Sequence, residues 1–264
     1  MPWTPTFSIT PSAITLTCAP TGAACSSAFK TLIDAAIDSN AFPEVLNGQH
    51  SELFPILGAR TTDGEPVLLE RFAGDLFGIT ARGAHMTVFT RTGPGRMDLQ
   101  IWVPRRSADS FTFPNKLDST VAGGVPAHQT PWQNVVAEAH EEASLSASLL
   151  ERDARAAGVL TYVGVNEGGL VAPDVVFVYD LEVGGDVVPR VNDGEVKEFI
   201  LMGVEEVRDS LGRGEWKTNS AVVMVDFLVR HGVVTAEEEG DYVRIVQGMH
   251  RTLPFPVRGD EGGT

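Results

Sequence analysis

The sequence predicts an α/β protein in which a mixed sheet is covered by helices. Two observations indicate this class. Short runs rich in Val and Tyr, with strand character, alternate with stretches whose apolar residues recur at helical spacing. The chain of 264 residues is 43% hydrophobic and 21% charged, which supplies enough apolar material for a sizeable core. It contains no run of about 18 apolar residues, so no transmembrane helix is expected.

The first part of the chain predicts a lead, one helix and one strand. Residues 1–28 are rich in Pro, Thr, Ser and Ala and are expected to be poorly ordered. Residues 29–46 carry apolar residues at helical spacing, and the pair Asn47-Gly48 is expected to close that helix. A short strand is expected at residues 65–72.

The rest of the chain predicts the sheet and its covering helices. Strands are expected at residues 84–91, 99–104, 158–166, 175–183 and 199–202. Helices are expected at residues 131–145, 204–211, 218–231 and 237–251, and a polar loop at 105–119. The predicted organisation is a lead at 1–28, a small α/β region at 29–82, a main domain at 83–232, and a final helix and tail at 233–264.

The charge of the chain restricts its partners. A formal net charge of −15 argues against a grip on nucleic acid, which needs clustered Lys and Arg, and against anionic membrane surfaces. A small anionic substrate would need a local basic patch or a metal ion. Cys18 and Cys25 do not make a disulfide framework, so both are interpreted as free thiols. Because no secretory or transit signal is recognisable, a cytoplasmic location is expected.

Three carboxylates share one side of the predicted helix at 131–145. Glu138, Glu141 and Glu142 lie three and four positions apart, while the apolar residues gather in another sector. Mutual repulsion of the carboxylates would be relieved by a hard dication, and Mg²⁺ or Mn²⁺ fits oxygen ligands. A tight turn at Gly123 would let a carbonyl oxygen reach the same ion. From spacing alone, a solvated acidic face is the commoner interpretation of such a triplet.

The same segment resembles the Nudix box: Gly, five residues, Glu, seven residues, Arg-Glu, an aliphatic residue, any residue, Glu-Glu, any residue, Gly and an aliphatic residue. The positions that keep this pattern are Gly123, Glu138, Glu141, Glu142 and Leu145. The positions that depart from it are Gln129, Ala137, Ala139 and Ser144. Gln129 and Ala137 replace a Glu and an Arg together, so neither change leaves an unpaired charge.

Segments outside the box resemble one branch, the thiamine pyrophosphokinase-related Nudix family. They read WVPRRS at 102–107, TFP at 112–114, LDSTVAGG at 117–124, VYDL at 178–181, DGEV at 193–196, WKTN at 216–219 and DFLVRHG at 226–232. The similarity runs from about residue 30 to residue 256. It implies a Nudix α/β/α sandwich preceded by a small α/β region. It also implies hydrolysis of thiamine diphosphate, preferably its oxidised forms, to the monophosphate. The remaining residues are too few for a kinase domain, so the stand-alone form of this family is expected. Departures from this branch are Ser110, where Lys is expected, and Thr218 and Ser220, where Pro and Cys are expected.

The resemblance also implies roles for the carboxylates. Glu138 and Glu142 are expected to bind Mg²⁺ or Mn²⁺ with the carbonyl of Gly123, and Glu141 to share that task or act as the base. Glu195 follows a turn signal and is the candidate for an additional ligand or base. A plain turn carboxylate is the alternative for Glu195.

Candidate substrate contacts lie on both sides of the box. Arg105 and Arg106 end a predicted strand, and their planar guanidinium groups suit phosphate oxygens. Lys217 is a further phosphate candidate, and Trp102 a candidate for stacking on a ring. The alternatives are surface ion pairs for the three cations and a core position for Trp102.

Three classes of function remain open on the sequence. The first is a metal-dependent diphosphatase acting on a small organic diphosphate. The second is a diphosphate isomerase, which would want a reactive Cys near the site, whereas Cys18 and Cys25 lie far upstream. The third is a Nudix fold that binds a nucleotide or coenzyme without catalysis. Metal-dependent phosphate release would separate enzyme from binder. The sequence predicts no oligomeric state.

Overall fold

The computed structural model describes residues 1–46, 52–110, 112–166 and 168–257. Its strands are β1 (Phe7–Ile9), β2 (Ile14–Leu16), β3 (Leu53–Pro55), β4 (Leu68–Glu70), β5 (Ala81–Arg91), β6 (Leu99–Arg106), β7 (Val121–Gly124), β8 (Arg155–Val165), β9 (Val171–Glu182) and β10 (Val196–Gly203). Its α-helices are α1 (Gly22–Asp38), α2 (Pro131–Ala143), α3 (Ala147–Asp153), α4 (Val204–Gly212), α5 (Thr218–Arg230) and α6 (Tyr242–Met249), and a 3₁₀ helix spans Arg71–Phe77.

A mixed six-stranded sheet forms the centre of the molecule. The strand order is β10-β6-β5-β9-β8, and β7 pairs with the first half of β5. Strands β5 and β9 run parallel, whereas β5 is antiparallel to β6 and β7. The predicted mixed sheet is therefore confirmed.

Helices cover both faces of this sheet because β5 alternates two sets of buried side chains. Ala84, Met86 and Val88 pack with the apolar side of α2. On the other face, Phe89 packs with α5, and its ring lies 5.2 Å from that of Phe227 in an edge-to-face arrangement. The resulting α/β/α sandwich is the predicted fold class. The ends of β6 and β7 lie beside α2 and α5.

The amino-terminal region is more ordered than the sequence predicts. Strands β1 and β2 form a hairpin, and α1 begins at Gly22, so the expected poorly ordered lead at residues 1–28 is wrong. The first turn of α1 consists of small residues that carry no apolar period. Instead, the side chain of Thr21 accepts a hydrogen bond from the Ala24 N–H at 3.3 Å, and Asp63 accepts one from the Gly22 N–H at 3.1 Å.

Other element limits also differ from the predictions. Helix α1 ends at Asp38 rather than Leu46, and the Asn47-Gly48 pair lies outside the described residues. The segment around Gly123, where a tight turn was expected, forms strand β7 instead, because its backbone pairs with β5. Helix α3 was not predicted, and the last helix is only eight residues long. In the part of the chain that the structure describes, no helix has the length and apolarity needed to cross a membrane.

Two of the segments that carry the family resemblance, at 178–181 and 226–232, contact each other. Asp180 on β9 accepts hydrogen bonds from the Arg230 guanidinium, one of them at 3.0 Å, and lies 3.0 Å from Nε2 of His231. Burial raises the pKa of Asp180, but the contacts with His231 and Arg230 outweigh it and hold the pKa below its usual value. These residues therefore join the end of α5 to the sheet.

Candidate active site

A cavity of about 830 Å³ opens where β6, β7, α2 and the start of α5 meet. Its volume falls within the usual range for small-molecule sites. The residues singled out from the sequence that line it are Gly123, Glu138, Glu141, Glu195, Arg106 and Lys217. Carboxylates and cations thus share one cavity.

Helix α2 carries the carboxylates and is fixed at both ends. Its start has a capping box in which Thr130 and Gln133 satisfy each other's backbone N–H groups, with Pro131 in the first turn. Its end is Ser144, whose φ of 55° lies in the left-handed region, where the family pattern has Gly. Ser144 Oγ donates to the Arg190 carbonyl at 3.2 Å, which helps to offset the cost of that conformation.

Glu138 packs directly against the glycines of β7. Its Oε1 accepts a hydrogen bond from Asn134 Nδ2 at 3.3 Å, and the same nitrogen donates to the Gly124 carbonyl at 3.0 Å. A Cβ on Gly123 would lie 2.1 Å from Glu138 Oε1, so only glycine leaves room for this carboxylate. Burial raises the pKa of Glu138 to about 7, with Glu141 and Glu195 adding to the effect.

Glu142 lies behind the cavity wall and is not among the described lining residues. Only 7% of it is exposed, and its Oε2 accepts a hydrogen bond from the Ala122 N–H at 3.2 Å. Burial raises the pKa of Glu142 well above its usual value, and the neighbouring Glu138 raises it further. Glu138 and Glu142 therefore both lie against β7, and burial disfavours the ionised form of each carboxylate.

This donor set suits a hard divalent cation. Across the described ranges, which omit residues 47–51, 111, 167 and 258–264, no three or more His, Cys, Asp or Glu side chains stand close enough to hold a metal ion. The chemistry nevertheless fits, since the buried Glu142 and the partly buried Glu138 both adjoin β7, where a side chain at Gly123 would clash with Glu138. Mg²⁺ and Mn²⁺ favour such oxygen ligands and complete their shells with water and phosphate.

Two cations of the cavity, Arg106 and Lys217, are held by one buried carboxylate, Asp118, which is 4% exposed. Asp118 Oδ2 lies 3.1 Å from Arg106 Nη1 and 3.3 Å from Lys217 Nζ. Its Oδ1 accepts hydrogen bonds from the Ser119 N–H at 2.9 Å and from the Ser220 hydroxyl. Burial raises the pKa of Asp118, but the surrounding donors and cations outweigh it and keep the pKa low. Asp118 therefore fixes both cations at the cavity wall.

Arg105 and Trp102 are not among the cavity-lining residues that the structure describes. Successive residues of a strand point to opposite sides, so Arg106 reaches the cavity while Arg105 does not. Arg105 instead donates to the Asn115 carbonyl at 3.0 Å and lies 3.5 Å from Glu198. Trp102 packs against the core between the sheet and α2. These positions match the surface and core alternatives for the two residues.

The turn that presents Glu195 has the expected form. Asp193 Oδ1 accepts a hydrogen bond from the Glu195 N–H at 2.9 Å, and the Glu195 side chain is exposed at the cavity edge. His128 and His140 are exposed.

Several lining residues carry no sequence signal. Glu52, Arg71 and Phe72 come from the amino-terminal region and reach the cavity only through the tertiary fold. Asp118 lies in the LDST segment of the resemblance, but its role depends on contacts with Arg106, more than ten residues away, and with Lys217 across the fold.

His85 belongs to the buried network around Asp118 and Ser119, and its effect on the pH dependence of stability can be measured. It is 2% exposed, its Nδ1 lies 2.9 Å from Ser119 Oγ, and burial lowers its pKa to about 3. Between the ordinary value of 6.5 and about 3, the unfolded chain binds a proton that the folded chain excludes. His85 therefore reduces the free energy of unfolding by about 1.4 kcal/mol for each pH unit lost in this window.

We expect His85→Gln to remove this contribution. When the pH falls from about 7.5 to about 5.5, the free energy of unfolding should change by about 1.4 kcal/mol less favourably in the wild type than in the variant. The measurement is urea unfolding of both proteins at the two pH values. Carboxylates with raised pKa, such as Glu138, occur in both proteins and cancel in the difference. Parallel pH profiles would show that His85 is not excluded from protonation.

The chain is thus an α/β/α sandwich whose cavity brings carboxylates of α2 together with Arg106 and Lys217. The chain is a member of the Nudix family, since residues 81–222 match the NUDIX domain.

Known proteins resemble much of this chain. The Saccharomyces cerevisiae protein YJR142W is 38% identical over 201 residues, covering 72% of this chain and 58% of that protein. Nudix hydrolase 20, chloroplastic, of Arabidopsis thaliana is 35% identical over 208 residues, covering 78% of this chain and 53% of that protein. The chain thus spans about half the length of the curated relatives it matches. The second of these relatives is named a Nudix hydrolase.

Among solved structures, a protein from Deinococcus radiodurans shares 20% identity with a TM-score of 0.41, covering 65% of this chain and 83% of that one.

Proposed function

We propose that this protein hydrolyses the diphosphate of a small organic molecule of the thiamine type, in a reaction that depends on Mg²⁺ or Mn²⁺. The observation that carries the proposal is the shared cavity, in which carboxylates of α2 face Arg106 and Lys217. A diphosphate needs both groups, because its charge must be neutralised by cations and its hydrolysis needs a base.

The carboxylates divide the chemical work. Glu138, Glu142 and the carbonyl of Gly123 would hold the metal ion, which when bound neutralises phosphate charge and makes water more acidic. Glu141 and Glu195 line the cavity and are the candidates for the base. One of them takes a proton from the attacking water.

Arg106 and Lys217 bind and orient the diphosphate oxygens. The oxygen of the water forms a bond to one phosphorus, the bridging P–O bond breaks, and its electron pair leaves with the bridging oxygen. The products are a monophosphate ester and inorganic phosphate. Because Asp118 already fixes both cations, they lose little freedom when the substrate binds.

The thiamine-type substrate rests on the resemblance of segments that extend from about residue 30 to residue 256. Several of these segments lie at the cavity, since Arg106, Gly123, Glu195 and Lys217 belong to four of them. We further propose that oxidised, uncharged forms of the ring are preferred over the cationic thiazolium. A nucleoside-diphosphate substrate is the competing choice within the same family.

The test is a side-by-side determination of kcat/KM, with Mg²⁺ and with Mn²⁺, for thiamine diphosphate, an oxidised analogue, ADP-ribose and a nucleoside diphosphate. We expect the oxidised analogue to be the best substrate. A preference for ADP-ribose or the nucleoside diphosphate of more than about tenfold, roughly 1.4 kcal/mol, would overturn the thiamine assignment. Binding of these compounds without phosphate release would instead indicate a non-catalytic module.

A further inference from the structure

One wall of the cavity comes from outside the recognised domain. Glu52, Arg71 and Phe72 line the cavity, yet all three precede residues 81–222, which match the NUDIX domain. The family's box and its metal ligands therefore say nothing about them.

The amino-terminal region is fixed to the domain beside this wall. The Ala127 N–H donates to the Leu53 carbonyl at 3.2 Å, and Asn166 Nδ2 donates to Asp75 Oδ2 at 2.7 Å. The first contact joins β3 to the loop between β7 and α2, and the second joins the 3₁₀ helix to the end of β8. Glu52 and Arg71 thus occupy defined positions relative to the catalytic helix.

Arg71 is held in place by contacts on several sides. Its Nη1 lies 3.0 Å from Glu52 Oε2, and its guanidinium carbon lies 5.5 Å from the centre of the Phe54 ring and 5.8 Å from that of Phe72. It also adjoins β7, because a Cβ on Gly124 would lie 3.0 Å from that carbon. The side chain is nevertheless 44% exposed. An ordered guanidinium and an aromatic ring therefore stand together at the cavity wall.

We propose that Arg71 and Phe72 form the subsite for the organic group of the substrate, and that this subsite accepts a flat ring. The inference rests on the proposed diphosphatase function. The cavity of about 830 Å³ exceeds what a diphosphate alone fills. Arg106 and Lys217 are assigned to the diphosphate, whereas Arg71 and Phe72 present a flat guanidinium and a phenyl ring to the same cavity.

The chemistry of the two side chains defines what they accept. A guanidinium plane and a phenyl ring both stack on flat heteroaromatic groups, and their existing order reduces the entropic cost of binding. The charge of Arg71 is already balanced by Glu52 at 3.0 Å, so the subsite selects the flat shape of a ring rather than its charge.

The experiment compares four proteins with three compounds. The proteins are the wild type, Arg71→Met, Phe72→Ala and the control Arg96→Met, whose arginine pairs with Glu238 far from the cavity. The compounds are an uncharged oxidised thiamine diphosphate, the cationic thiamine diphosphate and methyl diphosphate, which has no ring. Both kcat/KM and the dissociation constant without turnover are measured, and thermal midpoints report the fold.

We expect Phe72→Ala to weaken binding of the ring compounds by about tenfold or more and that of methyl diphosphate by no more than about twofold. Arg71→Met should weaken binding of both ring compounds by about threefold or more and that of methyl diphosphate by no more than about twofold. Equal losses for all three compounds would overturn the subsite. The binding measurements keep the two proposals apart, because absence of hydrolysis contradicts the proposed function while the pattern of dissociation constants still decides the subsite.

Discussion

Glu142→Gln is expected to lower kcat on the order of a thousandfold, which corresponds to about 4 kcal/mol of lost transition-state stabilisation. Glu142 is buried beside β7, and its carboxylate accepts a hydrogen bond from the Ala122 N–H. Glutamine keeps an oxygen for that hydrogen bond but loses the negative charge that a divalent cation requires. The measurement is phosphate release from the best substrate at saturating Mg²⁺.

The fold should survive this substitution. Burial raises the pKa of Glu142 well above its usual value, so the ionised carboxylate is costly in the absence of a cation. A neutral amide removes that cost, and the thermal midpoint without metal should be unchanged or higher. Glu151→Gln on α3 is the matched control, since Glu151 is exposed and does not line the cavity. Full turnover by Glu142→Gln, or by the wild type in excess EDTA, would contradict the metal site.

The fold could be predicted where the side-chain pattern has one clear period. Strands β5, β6, β8, β9 and β10 and helices α2, α4 and α5 bury one side or alternate sides, and their positions were predicted to within a few residues. Helix α1 was placed too late because its first turn relies on Thr21 and Asp63 as hydrogen-bond acceptors rather than on apolar spacing. Strand β7 was missed because glycines carry no side-chain period, and its pairing with β5 is a long-range backbone interaction.

The same distinction between local patterns and long-range contacts applies to the candidate site. The positions of Glu138, Glu141 and Glu142 on one helix follow from local geometry. The spacing did not show that Glu142 is buried while Glu138 and Glu141 line the cavity. Arg71 reaches the cavity from another part of the chain, and no local pattern marks it. The adjacent Arg105 and Arg106 could not be distinguished, because the choice depends on which side of β6 faces Asp118.

The segments that carry the family resemblance fall into two groups in the structure. Asp118 and Lys217 come from segments that meet at the cavity, whereas Asp180 and Arg230 come from segments that join α5 to β9. A resemblance over most of the chain therefore reflects both a substrate site and the ion pairs that hold its scaffold. The cavity residues are the ones from which specificity should be inferred.

The glycine of β7 leads to the second large effect, because Gly123→Ala should lower kcat/KM by about a hundredfold or more with a change in stability below about 1 kcal/mol. The new Cβ would lie 2.1 Å from Oε1 and 2.5 Å from Cδ of Glu138. The end of a glutamate side chain rotates more easily than a paired strand shifts, so Glu138 should leave its place while β7 remains. The concentration of Mg²⁺ needed for half-maximal activity should rise accordingly.

Two comparisons identify the cause of that loss. Gly164→Ala on β8 is the matched control, since its Cβ would have an ordinary contact of 3.8 Å with the Ala172 carbonyl, and it should retain activity. If Gly123→Ala acts by displacing Glu138, then combining it with Glu138→Gln should cost little more than Glu138→Gln alone. Additive losses in the double variant would instead show that the methyl group blocks the substrate or distorts β7. Full activity in Gly123→Ala would mean that Glu138 does its work from a position other than the one beside β7.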